Sequence, residues 1–485
     1  MAPRFSRSIT AGASLARKRA WLLAGCALLF AHTAAAQSLD APQATGTAVT
    51  GTAVTGTATE TGASPAITDP QTTGAVAASD LPPALDEDFN RLNRREETID
   101  GLRTRIDPEA GQASGIRIGS FVLKPALSET LNHERQKTGG TSQSRGFLET
   151  GLKGSLTSDW SRHQLSVIGE GILQDNLSGE GEEEPRADVD AELRLDLSDE
   201  TTAKLRAGYS FEREDANDPN AIANAVEQSA VNTYRLGAAV ERDLGLIRGS
   251  VGLDFERQTY GDVELDNGTT LSQEDRDRNT GTLTGRLGYE LSPALIPFLE
   301  ASAGKSIYDL RRDTLGFERS YTTYAGRAGM EVDLGEKLNG ELALGYETFR
   351  FDDDRLGDLS GLSVDGRVNW SPQRGTDVLF GLLTYLDPST TAGNPGSINY
   401  ELTNIITHQL RSSLVATLSN SLTLRDFPSD TAASDETTWR TGAGLTWDMS
   451  RYLALTGDVS YERTNRDVGP SSDTTRVGVG LTLRR

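Results

Sequence analysis

Histidine is the side chain that most often acts as a base near neutral pH, so the chain's histidines are the first candidates for chemistry. Beyond residue 36 they are His133, His163 and His408. They fall on separate segments whose predicted order keeps them apart. Asn404 shares the apolar parity of one segment with His408, as a lipid-facing hydrolase would require, but no serine is clearly placed beside them. Acyl transfer needs a nucleophile and a base within hydrogen-bond reach. We therefore predict no catalytic residues and no enzyme activity.

Two clusters of carboxylates could bind a divalent cation, since oxygen ligands suit calcium and magnesium. One cluster comprises Glu180, Glu182, Glu183 and Glu184, and the other comprises Asp352, Asp353 and Asp354. Neither cluster has the ligand spacing of a dedicated calcium loop. Solvated loop charge is the interpretation we favour, with no metal and no cofactor predicted.

Charged residues also recur at every second position of several segments, with apolar residues between them. In 187–198, Ala187, Val189 and Leu193 alternate with acidic and basic side chains. This period is that of a β-strand with one apolar and one charged face. The residues predicted to share the charged, inward face are Asp188, Asp190, Glu192, Arg194, Asp196, Lys204, Arg206, Asp365 and Arg367. Opposite charges on neighbouring strands could pair across this wall.

The same alternation recurs from Gly115 to Arg485 in about eighteen segments, beginning with 116–131 and 146–157. Short joins alternate with long polar ones such as 213–231, 258–278 and 387–398. The chain is only 36% hydrophobic with a mean hydropathy of -0.43, which is poor material for large soluble cores. We therefore predict an all-β fold: a transmembrane antiparallel up-and-down β-barrel of about eighteen strands over residues 110–485, with a disordered N-terminal extension. The nine charged residues would then line its pore.

Three features do not fit a uniform barrel wall. Pro125 and Pro297 fall inside predicted strands, and we expect each to mark a bulge or a strand end because proline cannot donate to a ladder. Residues 378–386 are apolar at both parities. That strand could pack against a loop or the N-terminal helix inside the lumen, or against another subunit.

The N-terminal region is read as three segments. Arg17, Lys18 and Arg19 precede an apolar run from Trp21 to Phe30, so residues 1–36 are predicted to be a signal peptide cleaved before Gln37. A lipoprotein site at Cys26 is the less favoured alternative, because its apolar stretch would be very short. Residues 37–83 form a low-complexity linker that cannot bury enough apolar surface to fold. Residues 84–109 carry apolar side chains at helical spacing and predict a short periplasmic helix.

A family resemblance rests on the order Arg94-Arg95, Gly101-Leu102 and then GIRIGSFVLKPAL, followed by a barrel with long loops. This order resembles the β-barrel porin type 2 family of bacterial outer-membrane proteins. Family members often continue with an acidic segment ending in Asn, from which Leu131-Asn132-His133-Glu134 departs. The resemblance implies a porin-like outer-membrane protein, and some relatives are thought to serve polysaccharide export.

These features together predict a passive diffusion channel for small hydrophilic solutes in the outer membrane of a Gram-negative cell, with a preference for cations. The alternative is a structural or secretion-linked barrel, for example in polysaccharide export, that recruits a periplasmic partner through residues 84–109. Expected partners are outer-membrane lipid, lipopolysaccharide and the barrel assembly machinery. The net charge is -22, and removing the five basic residues of 1–36 makes it -27. Such a charge argues against nucleic acid as a partner.

Overall fold

The computed structural model describes residues 114–179, 181–214, 220–222, 224–389, 394–428 and 434–485. The predicted signal peptide, linker and periplasmic helix lie outside these residues. No helix in the described ranges is both long enough and apolar enough to cross a membrane.

Strands make up most of the described chain. A three-residue strand, β1 (Ile116–Ile118), precedes the long ones, and two short strands lie together in one loop, β9 (Val263–Glu264) and β10 (Thr270–Leu271). The long strands are β2 (Phe121–Thr138), β3 (Thr141–Ser158), β4 (His163–Ser178), β5 (Arg186–Ser198), β6 (Thr201–Arg213), β7 (Ala230–Asp243), β8 (Ile247–Tyr260), β11 (Arg278–Tyr289), β12 (Leu295–Tyr308), β13 (Tyr321–Asp333), β14 (Leu338–Phe351), β15 (Leu359–Gln373), β16 (Thr376–Pro388), β17 (Gly396–Arg411), β18 (Leu414–Asp426), β19 (Glu436–Ser450), β20 (Leu453–Arg466) and β21 (Ser472–Arg484).

The long strands form one closed ring. Each pairs antiparallel with the next along the chain, and β2 pairs with β21 from Ala126↔Arg484 to Thr138↔Ser472. A closed ring leaves no edge strand, so backbone N–H and C=O groups find partners within the sheet. The predicted eighteen-stranded antiparallel barrel is confirmed.

The start of the barrel differs from the prediction of one strand over 116–131. β1 folds back on β2 as a small hairpin, with Gly119 at φ 62 in its turn. Because of this turn, the apolar residues change from even positions, Ile116 and Ile118, to odd positions, Phe121 and Leu123.

The prediction of a long loop over residues 132–145, between the first two strands, is wrong. β2 runs on to Thr138 and meets β3 through a two-residue turn, Gly139-Gly140, in which both φ angles are positive. Glycine adopts this geometry readily, and such turns match the twist of the strands they join. Residues 132–145 lose their apolar alternation while the ladder continues, so short and long connections do not alternate strictly.

Neither proline marks a bulge. Pro125 pairs with Gly154 and Pro297 with Met330 without a register shift. Each lies where the strand on its other side stops pairing: β21 pairs with β2 only from Ala126, and β11 pairs with β12 only from Phe298. A missing N–H is tolerated at such a position.

The outer face of the barrel is apolar and exposed. Leu131, Leu205, Leu253, Leu299 and Val479 all lie on it. Aromatic rings mark both of its borders, with the pairs Tyr209–Tyr234 and Trp439–Tyr461 towards the long loops and the pair Phe121–Trp160 near the short turns. Two aromatic belts enclosing an apolar band are typical of a barrel that sits in a bilayer.

Two glycines in the barrel wall differ in the space around them, and substituting each by alanine would test how tightly the wall is packed. A Cβ on Gly345 would overlap the Gly326 carbonyl oxygen and lie 2.7 Å from Arg327 Cα, whereas one on Gly285 meets nothing within 4 Å. We predict that Gly345→Ala lowers the free energy of unfolding by about 1–3 kcal/mol, because backbone must move. Gly285→Ala serves as the control and should leave it nearly unchanged. Urea unfolding in detergent micelles, followed by heat-modifiable gel migration, measures both; equal midpoints would contradict the packing described.

Candidate functional site

Strand parity places the charged residues predicted to line the pore on the face opposite the exposed apolar side chains. Asp188, Asp190 and Glu192 alternate along β5 with Val189 and Leu197, whose side chains are exposed on the outer face. Register places Glu192 opposite Arg206, and their side chains form an ion pair at 3.2 Å. The parity of this strand therefore turns its carboxylates towards the lumen.

The other predicted residues differ in their pairing. Arg194 contacts Asp196 at 3.0 Å on the same strand, and Asp190 lies 3.9 Å from Arg235. Lys204 and Arg367 have no carboxylate within 4.0 Å among the described residues. The structure thus brings some of the nine into ion pairs and leaves others open to the lumen.

A denser charged network lies on β11–β15, and the sequence reasoning missed most of it. The Arg286 guanidinium contacts Glu300 and Glu341, both at 2.7 Å. Arg327 contacts Glu300 at 3.2 Å and Glu347 at 3.4 Å, and lies 3.8 Å from Asp365. Applying the parity rule to these strands would have identified the members, but only the register reveals which of them pair.

This network is unbalanced in charge. Two guanidinium groups, Arg286 and Arg327, face four carboxylates, and nearly all of these groups are buried. A buried ion pair is costly to break, because removing one partner leaves the other charge desolvated. The network therefore fixes its side chains on the wall, with more carboxylates than guanidinium groups.

Strand β16, which contains the residues 378–386 that are apolar at both parities, leaves the wall at the barrel mouth. β15 and β16 pair only as far as Asp365↔Leu383, and the Thr384 hydroxyl then accepts a 2.9 Å hydrogen bond from the Val364 N–H. Beyond this point the ends of β16 and β17 leave the wall. We call residues 384–389 and 394–400 the mouth hairpin.

The mouth hairpin lies inside the barrel. Ile398 and Tyr400 have the parity of lipid-facing residues such as Leu402, yet both are buried. A Cβ on Gly361, which is on the inner face of β15, would lie 2.9 Å from the Tyr400 hydroxyl and 3.0 Å from Ile398 Cδ1. The face of the hairpin that would otherwise meet lipid therefore packs against the inner wall.

A small apolar core forms between the hairpin and the wall. Tyr321 is 0% exposed, and its ring lies 5.9 Å from Phe349 and 5.5 Å from Phe351. The remaining buried members are Leu359 on the wall and Leu386, Ile398 and Tyr400 on the hairpin. Burying side chains of this size stabilises the hairpin by about 1.5–3 kcal/mol each.

Arg319 fixes the end of the mouth hairpin. It is 2% exposed, and its Nη1 donates to the carbonyl oxygens of Ser389 and Asn394. Its Nε donates to Asp313 at 2.6 Å. Burial alone raises the pKa of Asp313, but hydrogen bonds from the Phe317 amide and Arg319 outweigh burial and hold that pKa below its usual range.

The hairpin also reaches the far side of the mouth. The Ser389 hydroxyl donates to Asn220 Oδ1 at 3.1 Å, and Asn220 belongs to the loop between β6 and β7. Strands β6 and β16 lie on opposite sides of the ring. The mouth is therefore bridged by this contact.

The histidines do not converge, although one has an unexpected neighbour. His133 lies within β2 rather than on a loop, and His163 begins β4. His408 Nδ1 lies 2.7 Å from Thr376 Oγ1, a hydroxyl that the sequence reasoning overlooked because it is on the adjacent strand. The Asn404 amide donates instead to the Leu379 carbonyl. A hydroxyl and an imidazole are therefore adjacent, but among the described residues no third group hydrogen-bonds to His408 as a catalytic triad would need.

Glu180 lies outside the described residues, and the described parts of both acidic clusters contact basic side chains. Arg145 donates to the Glu182 carbonyl oxygen, and Arg476 lies 4.0 Å from Glu184. Lys305 binds Asp352 at 2.7 Å, and Arg355 binds Asp353. Within the described ranges, no group of three or more histidine, cysteine, aspartate or glutamate side chains is arranged to hold a metal ion.

The anchoring role of Arg319 can be measured directly. Arg319→Gln removes the charged donors to two carbonyl oxygens, so we predict that hydrogen exchange of residues 384–389 and 394–400 accelerates by about tenfold or more. Arg312→Gln is the control, since Arg312 lies in the same loop but is exposed and contacts Glu318. Exchange followed by mass spectrometry reports both variants. Unchanged protection in Arg319→Gln, or equal loss in Arg312→Gln, would refute the anchor.

Comparison with known proteins identifies the family. Residues 107–485 match the family described as "Putative beta-barrel porin 2". No curated protein matches the chain.

Several solved structures are similar in a coarse way. They include OccAB4 of Acinetobacter baumannii (11% identity, TM-score 0.38, covering 75% of this chain and 98% of that one) and OccK2 of Pseudomonas aeruginosa (13%, 0.39, 75% and 98%). OccK1 of Pseudomonas aeruginosa gives 12% identity and a TM-score of 0.39, covering 75% and 99%. Such low scores add nothing to the family match. By that match and its closed barrel, the chain belongs to the putative beta-barrel porin 2 family and is a porin-like β-barrel of the outer membrane.

Proposed function

We propose that the barrel is a passive diffusion channel for small hydrophilic solutes and that it prefers cations. The observation that carries this proposal is a closed barrel whose inner wall is charged, with carboxylates in excess on β5 and β11–β15. A ring of this size is too wide for wall side chains alone to fill, which favours an aqueous path. Solutes would move down their own gradients, so no catalytic step is needed.

Cation preference is supported by the carboxylates that remain open to the lumen. Asp188 and Asp254 form no ion pair within 4.0 Å among the described residues, and the side chain of Asp190 is 58% exposed. Fixed negative charge in a confined aqueous path raises the local concentration of cations. Lys204 and Arg367 act in the opposite sense, so the preference should be moderate.

The mouth hairpin would set the narrowest part of the path. It is anchored by Arg319 and reaches Asn220 across the opening. A bridge of this kind reduces the free cross-section without closing the barrel lower down. The channel should therefore conduct less than an unobstructed barrel of eighteen strands and should discriminate by solute size.

The charge argument can be tested by ion selectivity in a planar bilayer. The double variant Asp188→Asn/Asp190→Asn removes two lumenal carboxylates, so we predict that the cation-to-anion permeability ratio falls by about twofold or more. Asp175→Asn is the control, because Asp175 shares the outer face of β4 with Leu173 and Leu177 and is exposed there. Reversal potentials in a potassium chloride gradient measure the ratio. Anion preference in the unaltered protein, or a barrel closed at all voltages, would overturn the proposal.

The secretion-linked alternative makes a different demand on the N-terminal region. A channel formed by the barrel alone should keep its conductance when residues 37–110 are deleted, since the wall and mouth described above begin after them. A partner-dependent barrel should instead lose its function in the cell. Single-channel recording of the deletion variant separates the two, and loss of conductance with an intact heat-modifiable barrel would favour the alternative.

A further inference from the structure

A group of exposed cations lies on the outer face of the barrel where its first and last strands meet. Arg135 and Lys137 are on β2, and Arg463 is on β20. Register places Lys137, Asp473 and Arg463 in one row across β2, β21 and β20, with Arg135, Thr475 and Tyr461 in the row below. We call Arg135, Lys137 and Arg463 the seam cluster.

The seam cluster lies at the border of the apolar band. The row beneath it holds His133, Val477 and Val459, and the next row holds Leu131 and Val479, all exposed and with the same outward parity. The ring of Tyr461 lies 6.1 Å from that of Trp439 in the belt towards the long loops. Such belts sit at the level of the lipid head groups. The three cations are therefore placed at head-group depth in the outer leaflet.

The charge of the seam cluster is not neutralised locally. Asp473 is the carboxylate in these rows, lying 3.6 Å from Arg463 and accepting a hydrogen bond from the Tyr461 hydroxyl. Arg135 donates to the Ser142 hydroxyl, and Lys137 has no ion pair within 4.0 Å among the described residues. The seam cluster is thus positively charged, although the net charge of the whole chain is -22.

Two other outward cations on the barrel, Arg257 and Lys305, are held differently. Arg257 binds Asp309 through both terminal nitrogens, and Lys305 binds both carboxylate oxygens of Asp352. These groups are paired within the protein. In the seam cluster three cations lie close together and two of them have no carboxylate partner among the described residues, which points to a negatively charged ligand from outside.

We propose that the seam cluster binds a phosphate group of a phosphorylated glycolipid of the outer leaflet, as in the lipid A of lipopolysaccharide. Neighbouring strands lie about 4.8 Å apart and alternate residues about 6.7 Å apart, so the three long side chains can converge on one phosphate. Arginine matches phosphate oxygens through paired donors, and lysine supplies a compact charge. The acyl chains would lie on Leu131, Val477 and Val479. This binding site is independent of whether the barrel conducts.

The probe for the test is bisphosphorylated lipid A added to the full chain in detergent, with retained lipid counted by native mass spectrometry. The triple variant Arg135→Gln/Lys137→Gln/Arg463→Gln should lower the affinity by about a hundredfold, given the worth of each basic residue near an anionic surface. The control variant Arg257→Gln/Lys305→Gln removes the paired cations and should retain the lipid as the unaltered protein does. Heat-modifiable migration verifies that both variants fold.

Two further arms identify the source of the phosphate. Lipid A stripped of its phosphates should bind the unaltered protein as weakly as intact lipid A binds the triple variant. Inorganic phosphate at millimolar concentration should not displace the lipid, because it lacks the contacts of the acyl chains; full displacement would indicate a site for free phosphate. Equal retention by the triple variant and the unaltered protein would overturn the proposal. Should the triple variant fail to fold, Lys137→Gln alone is expected to weaken retention severalfold and decides the question.

Discussion

Backbone hydrogen bonding in a lipid environment is the constraint on which the rest of this structure depends. Hydrocarbon offers no partner for an N–H or C=O group, so a sheet within it must close on itself. The pairing of β2 with β21 achieves that closure. Strands β15 and β16 part above Asp365↔Leu383, and there the Thr384 hydroxyl replaces the lost ladder partner of Val364. Beyond that residue the mouth hairpin covers the inner face of β15, so wall closure and mouth geometry are coupled.

Because side chains alternate across the wall, each strand contributes both to the apolar outer surface and to the charged inner surface. The same strand that presents Val189 and Leu197 outward presents Asp188 and Glu192 inward. On the inner wall, Arg286 and Arg327 hold carboxylates from neighbouring strands in fixed positions. Opposite charges at these distances attract far more strongly in a partly desolvated wall than in bulk water. The wall is therefore an ordered array of charge, and its order depends on strand register.

Much of the fold could be predicted from the sequence, because alternation with a period of two is a strong signal and about eighteen repeats of it leave few architectures. The faces of β5, β6 and β15 followed from the same signal. The alternation did not reveal that β2 and β3 continue to a turn at Gly139-Gly140, because strands that rise above the lipid lose their apolar face while they keep their ladder hydrogen bonds. It also could not locate Thr376 beside His408, since contacts between strands depend on register, which hydropathy does not encode.

Residues 378–386 are apolar at both parities, and the mouth hairpin gives the reason. A strand in the wall needs one apolar face, and residues 378–386 have two because their upper part turns inside and packs against β15. Moving the hairpin out would expose Tyr321, Phe349, Leu359 and Tyr400 to water, at about 1.5–3 kcal/mol for each large side chain. It would also leave the carbonyl groups held by Arg319 without their charged donor. These combined costs oppose displacement of the hairpin, so its described residues stay packed against the wall in the folded barrel.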